Sequence, residues 1–266
     1  MSHPRLSIVI PTLNEEKYLP HLLDSIRIQT FTDYEVIVAD AFSKDRTRAL
    51  ATEAGARVVD GGLPSAGRNR GAAAARGEII LFLDADVILP DELFLESAVA
   101  EFEKKQLGIA TALIRPLSER AIDHLMYQLY NVYAIATQKF MPHVPGFFIF
   151  VRREAHEKIG GFDETLQFAE DHEYARRASK VTKFGFLRDL RVPVSMRRFD
   201  KEGRLTIALK YLLGELYLIR QGKVPPETIT YEWGYDQAVK KETALQTLWK
   251  NGKSLWEKSK KSPKDQ

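Results

Sequence analysis

The stretch Ile79-Ile80-Leu81-Phe82-Leu83, followed at once by Asp84-Ala85-Asp86, constrains this chain most. Five successive apolar residues are too few for a helix and read as a strand covered on both faces. Such a strand needs helices above and below its sheet, and the neighbouring sequence supplies them. Leu6–Ile10, Tyr34–Ala39 and Arg57–Val59 are further short strands. Between them, Leu19, Leu22, Leu23 and Ile26 recur at helical spacing. Asp45–Ala54 reads as a helix stopped by Gly55, Ser65–Arg76 as an alanine-rich helix closing at Gly77, and Asp91–Lys105 as a helix with an acidic first turn. Repeated β-α-β units predict an α/β fold with a mostly parallel, Rossmann-like central sheet flanked by helices.

The second half is less regular. Leu107–Ile114 and Gly146–Val151 read as strands, Lys183–Leu187 and Arg191–Val194 as two short ones. Ile122, Leu125, Met126, Leu129, Val132, Tyr133 and Ala136 trace one face of a long helix. Glu154–Ile159, Asp171–Ser179 and Leu205–Arg220 are further helices. A tyrosine stripe such as Tyr127, Tyr130 and Tyr133 is more often core than a binding platform. The organisation expected is residues 1–200 as one domain (1–110 and 111–200 as its halves), 201–256 as a helical C-terminal extension, and 257–266 as a flexible basic tail.

In an open parallel sheet, ligands bind beyond the carboxyl ends of the strands. Three strands here end in polar residues: Pro11-Thr12-Leu13-Asn14-Glu15, Asp40 with Ser43-Lys44-Asp45 behind it, and Asp84-Ala85-Asp86. Singly, each serves equally well as a turn or a helix cap. In extended chain, side chains two apart point the same way, about 7 Å apart. Asp84 and Asp86 can therefore offer one carboxylate to a hard divalent cation and the other to a hydroxyl; alternatively Asp84 ends a strand and Asp86 opens a turn. Gly67-Arg68-Asn69-Arg70-Gly71 lies near the start of a helix, where an anion is favoured, though a solvated basic turn fits it too.

Taken in order, Ser7–Glu16, Val38-Ala39-Asp40 with Ser43–Thr47, Gly67–Gly71, Leu83–Asp86, Gly146–Arg153, Gly160–Glu164 and Glu170-Asp171 resemble family 2 of the nucleotide-sugar glycosyltransferases, which have the GT-A fold. The resemblance covers about residues 5–200. It implies an inverting transfer from a UDP- or GDP-sugar. Pro11, Asn14, Glu15, Asp40, Ser43, Arg68, Asp84 and Ala85 would surround the donor, with Asp40 at the base and Arg68 at the base or diphosphate. Asp86, with Asp84, would hold Mn2+ or Mg2+, and Asp171 would be the catalytic base; a helix-capping role for Asp171 is the bland alternative. Arg197 and Arg198 are candidate diphosphate clamps, or a basic turn. The sequence departs from the pattern twice. Phe42 stands where the family usually has glycine, which questions the local loop shape. Ser195-Met196-Arg197-Arg198-Phe199 replaces the Gln-x-x-Arg-Trp motif of processive polymer synthases, which argues against such a polymerase.

Other classes fit less well. Neither the glycine-rich lysine loop of a nucleotidyltransferase nor the Gly-x-Gly-x-x-Gly of a dehydrogenase follows the first strand. A non-catalytic sugar-nucleotide-binding partner would not need Asp84, Asp86 and Asp171 together. The 266 residues contain no cysteine, which excludes disulfides, thiolate metal sites and a cysteine nucleophile. The formal charge is +3, but residues 240–266 alone carry +5, so the body is not a nucleic-acid binder. The N-terminus shows no signal-peptide pattern, and no apolar run reaches the length of a membrane span. The expectation is a cytoplasmic chain, peripheral on the cytoplasmic face of a membrane, with a lipid-linked or saccharide acceptor. Trp233, Trp249 and Trp256, with Leu245, Leu248, Leu255 and interleaved lysines, are the expected interfacial segment. The Leu205 helix is expected to pack on the domain or a second subunit, and a homodimer is one allowed assembly.

Overall fold

The computed structural model describes residues 3–166, 168–222 and 224. Seven strands form one sheet in the order β3-β2-β1-β4-β6-β5-β7. Strands β1 (Leu6–Thr12), β2 (Tyr34–Asp40), β3 (Arg57–Asp60) and β4 (Ile79–Leu83) run parallel, joined by helices α1 (Leu19–Arg27), α2 (Thr47–Glu53) and α3 (Pro64–Ala74). This is the expected doubly covered α/β architecture. Alternation along β4 divides its side chains between two cores. Ile79, Leu81 and Leu83 join Leu6, Ile8 and Ile10 under α1, whereas Ile80 and Phe82 join Val9 and Ile37 on the other face. All five β4 residues are fully buried, which is why the run has no polar member.

Helix α4 (Phe94–Lys104) leads to β5 (Ile109–Leu117), α5 (Ala121–Thr137), β6 (Phe148–Arg152), α6 (Arg153–Lys158) and α7 (Glu170–Ala178). Then follow β7 (Phe184–Ser195), α8 (Arg197–Glu202) and α9 (Arg204–Gln221). β6 is antiparallel to both neighbours, with Leu83 opposite Phe148. It therefore begins where β4 ends, delivering Gly146 and Phe147 to the edge where Asp84 stands.

Four expectations need correction. Strand β4 ends at Leu83, and Asp84-Ala85-Asp86 enters a turn in which the Val87 N–H donates to the Asp84 carbonyl at 3.1 Å, so the two aspartates are not an extended pair. The two short strands 183–187 and 191–194 are one strand, β7, paired parallel to β5; its register shifts between Leu187 and Arg191, opposite Ala112 and Leu113. The looped residues are held by Glu101, which accepts the backbone N–H of Arg188 at 2.8 Å. Arg197 and Arg198 lie on a helix, α8, and not in a turn. The apolar face of α5 is largely exposed: Ile122, Leu125, Leu129 and Val132 face outward, while Ala134 faces β5. Helix α9 is the described part of the expected extension. The Trp233, Trp249 and Trp256 segment and the basic tail lie outside the described residues.

Candidate active site

The carboxyl edge of the sheet gathers most of the residues singled out above. The loops after β1 and β2 are laced together. Thr12 Oγ1 donates to Asp40 Oδ2 at 3.0 Å, and Asp40 also accepts the Ser43 hydroxyl at 2.5 Å and its N–H at 3.0 Å. The Asn14 N–H donates to Ser43 Oγ, its side-chain oxygen accepts the Lys44 N–H, and the Glu15 N–H donates to Thr47 Oγ1, each at 2.8 Å. Arg48 pairs with Asp40 and Asp60. Asp40 is fully buried, so its carboxylate fixes this loop pair. Phe42 adopts φ +59, the left-handed conformation a glycine would take, and the residue is 61% exposed. The loop keeps its shape at a conformational cost.

Gly67–Gly71 lies one turn into α3, whose N-terminus is Pro64, so the helix-end anion site expected there is not formed by the motif itself. The glycines serve packing. A Cβ on Gly71 would stand 2.3 Å from Val9 Cγ1, so α3 lies directly on β1. That close approach places Arg68, 2% exposed, beneath the ends of β4 and α7. Arg68 donates to Asp84 Oδ1 and to Glu170 Oε1 at 3.0 Å each, and to the Gly146 carbonyl at 3.2 Å.

Asp171 stands in the first turn of α7, entered through Ala169 at φ +56. Its Oδ2 accepts the Gly146 N–H at 2.6 Å, and its Oδ1 accepts the N–H and Nδ1 of His172 at 2.8 Å each. Gly146 is wedged between Arg68 Nη2 and Asp171 Oδ2, and a Cβ would meet the former at 2.8 Å. Asp171 thus ties α7 to the start of β6, a contact that a simple helix cap would not make.

The electrostatics follow from this crowding. Loss of water raises the Asp84 carboxyl; Arg68 opposes the rise, while the charges of Asp86 and Asp171 add to it. Burial would raise Asp171 too, but His172 and Arg68 outweigh it and hold the carboxyl below the usual range. Glu170, with Asp171 beside it, is pushed up, chiefly by burial. Burial would lower His172, yet the charge and hydrogen bond of Asp171 raise it. The Asp84, Glu170 and Asp171 carboxylates face one guanidinium, and Asp86 adds to the negative field at Asp84. Such a set of hard oxygen donors fits Mg2+ or Mn2+ held by one or two carboxylates and completed by a diphosphate. Among the described residues, no group of three or more potential ligands forms a closed metal site by itself.

Ala85 is buried between the two aspartates, and Pro11 is half-buried against Gly67. Arg198 pairs with Glu202 at 3.0 Å, within α8. The sequence reading missed a line of side chains behind Asp171. The His172 ring packs edge-on against His143 at 5.2 Å, and His143 Nε2 meets Glu215 at 3.0 Å. Tyr133 OH donates to the same Glu215 oxygen at 2.7 Å. Only the adjacency of His172 to Asp171 could have suggested it; His143 and Glu215 come from distant segments.

The sequence of residues 7–160 matches a known family profile, Glycosyl transferase family 2. The chain belongs to glycosyl transferase family 2. Relatives include an uncharacterized glycosyltransferase, EpsJ, of Bacillus subtilis, 32% identical over 188 residues, or 63% of this chain and 54% of that protein. A PGL/p-HBAD biosynthesis glycosyltransferase of Mycobacterium bovis is 41% identical over 145 residues, covering 48% and 56% respectively. The chain spans about half the length, or less, of these and similar relatives. The fold is that of a Pyrobaculum calidifontis mannosyltransferase solved with GDP-Man and Mn2+ (TM-score 0.64, 23% identity, 85% of this chain and 67% of that one). It is also that of Staphylococcus aureus TarS 1–349 solved with UDP-GlcNAc (TM-score 0.60, 24% identity, 72% and 58%). Both bear out the GT-A expectation.

Proposed function

We propose that the chain is an inverting, divalent-metal-dependent glycosyltransferase. It moves a sugar from a UDP- or GDP-sugar to a hydroxyl or phosphate, carried by a lipid-linked or saccharide acceptor at the cytoplasmic face of a membrane. The observation that carries this reading is the meeting of Asp84, Arg68, Gly146 and Asp171 at the carboxyl edge of a family 2 sheet. The solved neighbours with UDP-GlcNAc and with GDP-Man and Mn2+ support the donor class.

Direct displacement at an anomeric carbon has three requirements. The acceptor must lose its proton to a carboxylate on the face opposite the leaving group. Asp171 is held ionised by His172 and Arg68 and fixed in orientation by the Gly146 N–H. Charge growing on the departing diphosphate must be balanced. Asp86 and Asp84 are the residues that would hold a divalent ion, which when bound supplies Lewis-acid stabilisation of that charge. Arg68 keeps Asp84 in place from below. The donor must also be oriented; Pro11, Asn14, Glu15, Asp40, Ser43 and Ala85 shape the loops around the base and ribose, and Arg197 and Arg198 stand as candidate diphosphate contacts.

The test is thermal-shift binding of UDP, GDP and their sugar conjugates, with and without Mn2+. The expected result is a metal-dependent shift for one nucleotide, lost in Asp86→Ala. A folded protein that shifts with none of them refutes the donor-site assignment and favours a non-catalytic role.

A further inference from the structure

Helices α5 and α9 lie side by side and run the same way. Asp123 near the start of α5 pairs with Arg204 at the start of α9, and about three turns on, Tyr133 donates to Glu215. Helix α9 buries Ile207 and Gly214; a Cβ on Gly214 would stand 2.6 Å from the Phe168 ring. Opposite that face run Leu205, Leu209, Leu212, Leu216 and Ile219, all exposed, Leu205 by 74%. Their alternating spacing of four and three residues draws one apolar stripe from Leu205 to Ile219, about 21 Å along α9. On α5, Ile122, Leu125, Leu129 and Val132 form a second exposed stripe, continued by Phe140 at 86% exposure.

Charge selects what covers this surface. Each helix contains one acidic residue, and both are engaged by partners: Asp123 is fully buried against Arg204, and Glu215 is held by His143 and Tyr133. Exposed charges at or beside the ends of these helices are Arg120, Lys139, Lys201 and Arg220 against Glu119 and Asp200, a basic excess. A second copy of the chain would set that basic excess against itself, whereas an anionic lipid headgroup complements it. No described helix is long and apolar enough to cross a membrane.

We propose that the paired outer stripes of α5 and α9 are a docking surface for an anionic lipid membrane, with α9 seated in the interface plane. The surface backs directly onto the site. Phe168, which α9 covers, leads through Ala169 into the turn that carries Asp171. A lipid-borne acceptor would then be presented one helix thickness, about 10 Å, from Asp171; that clause rests on the transferase reading, and the docking itself is tested apart from it.

The experiment is flotation of the full chain with vesicles of phosphatidylcholine alone and with added phosphatidylglycerol, alongside multi-angle light scattering and nucleotide thermal shift. The variants are Leu209→Glu with Leu216→Glu, and Leu129→Glu with Val132→Glu. All four positions are exposed, so neither pair disturbs the core. Wild type is expected to float with anionic vesicles, and each pair to reduce binding by roughly tenfold or more without altering its nucleotide response. Retained flotation in both pairs overturns the proposal and moves membrane contact elsewhere in the chain. A wild type that never floats overturns it as well, whether light scattering finds a dimer broken by the substitutions or a monomer. Loss of nucleotide response in wild type would instead strike at the donor reading and leave the docking result standing.

Discussion

Asp171 and His172 act as one unit at the residue scale. Asp171→Asn keeps the shape and removes the proposed base, so kcat should fall about 10²- to 10⁴-fold while UDP or GDP affinity, read by calorimetry, stays close to wild type. His172 faces Asp171 and Glu170 on its own helix, His143 before β6 and Glu215 on α9. Its pKa is raised, so near mildly acidic pH it carries a proton that Asp171 pairs with, and that pairing weakens the base. As pH rises through the His172 value the proton leaves, Asp171 becomes more basic, and kcat should climb. His172→Asn should erase that limb of the pH profile; a profile identical to wild type would show that His172 only packs. At Phe42 the expectation is thermodynamic. Relieving a left-handed phenylalanine with glycine should stabilise the fold by about 1 kcal/mol in denaturant melts, since the exposed residue contributes little packing.

The elements themselves are governed by close approach and by paired charges. Helix α3 sits on β1 because Gly71 has no side chain, and Gly71→Ala should cost about 1–3 kcal/mol by forcing Cβ into Val9. Asp123 anchors the start of α5 to α9. It accepts Arg204 Nε at 2.6 Å and Nη2 at 2.8 Å, and Ser118 Oγ at 2.6 Å. The Arg204 hydrogen bonds lower its pKa to about 2. A depressed carboxyl contributes stability above its unfolded value and loses it as pH falls towards the folded one, so this anchor should weaken between about pH 4 and pH 2. Arg204→Ala should lower stability at pH 7 by about 2 kcal/mol, seen as a drop in Tm of several degrees, and the deficit should shrink in that acid range. Sequence periodicity located these elements well. It also marked the apolar face of α5, but periodicity reports only that one face differs from the other. Packing decided that the buried side of α5 is the one holding Asp123, Asn131 and Ala134, which turns the apolar stripe outward.

At the scale of the whole molecule, Arg68 joins segments far apart in the chain: from α3 it reaches β4's end and α7. Arg68→Ala should leave Asp84 and Glu170 without their counter-ion, lower stability by about 3–5 kcal/mol and abolish donor binding together, measured by thermal melts with and without nucleotide. The sequence by itself determined the α/β class, the parallel run β1–β4 and the edge on which Asp40, Asp84 and Asp86 stand. Those follow from local signals, apolar runs of strand length and polar residues at their ends. Tertiary structure alone decided that β6 runs antiparallel and so carries Gly146 to Asp171. It also decided that the arginine of the glycine motif lies buried beneath the acidic edge, and that His143 and Glu215 line up behind Asp171. These contacts join residues dozens of positions apart, and nothing in a local spacing encodes which distant segment will be brought alongside.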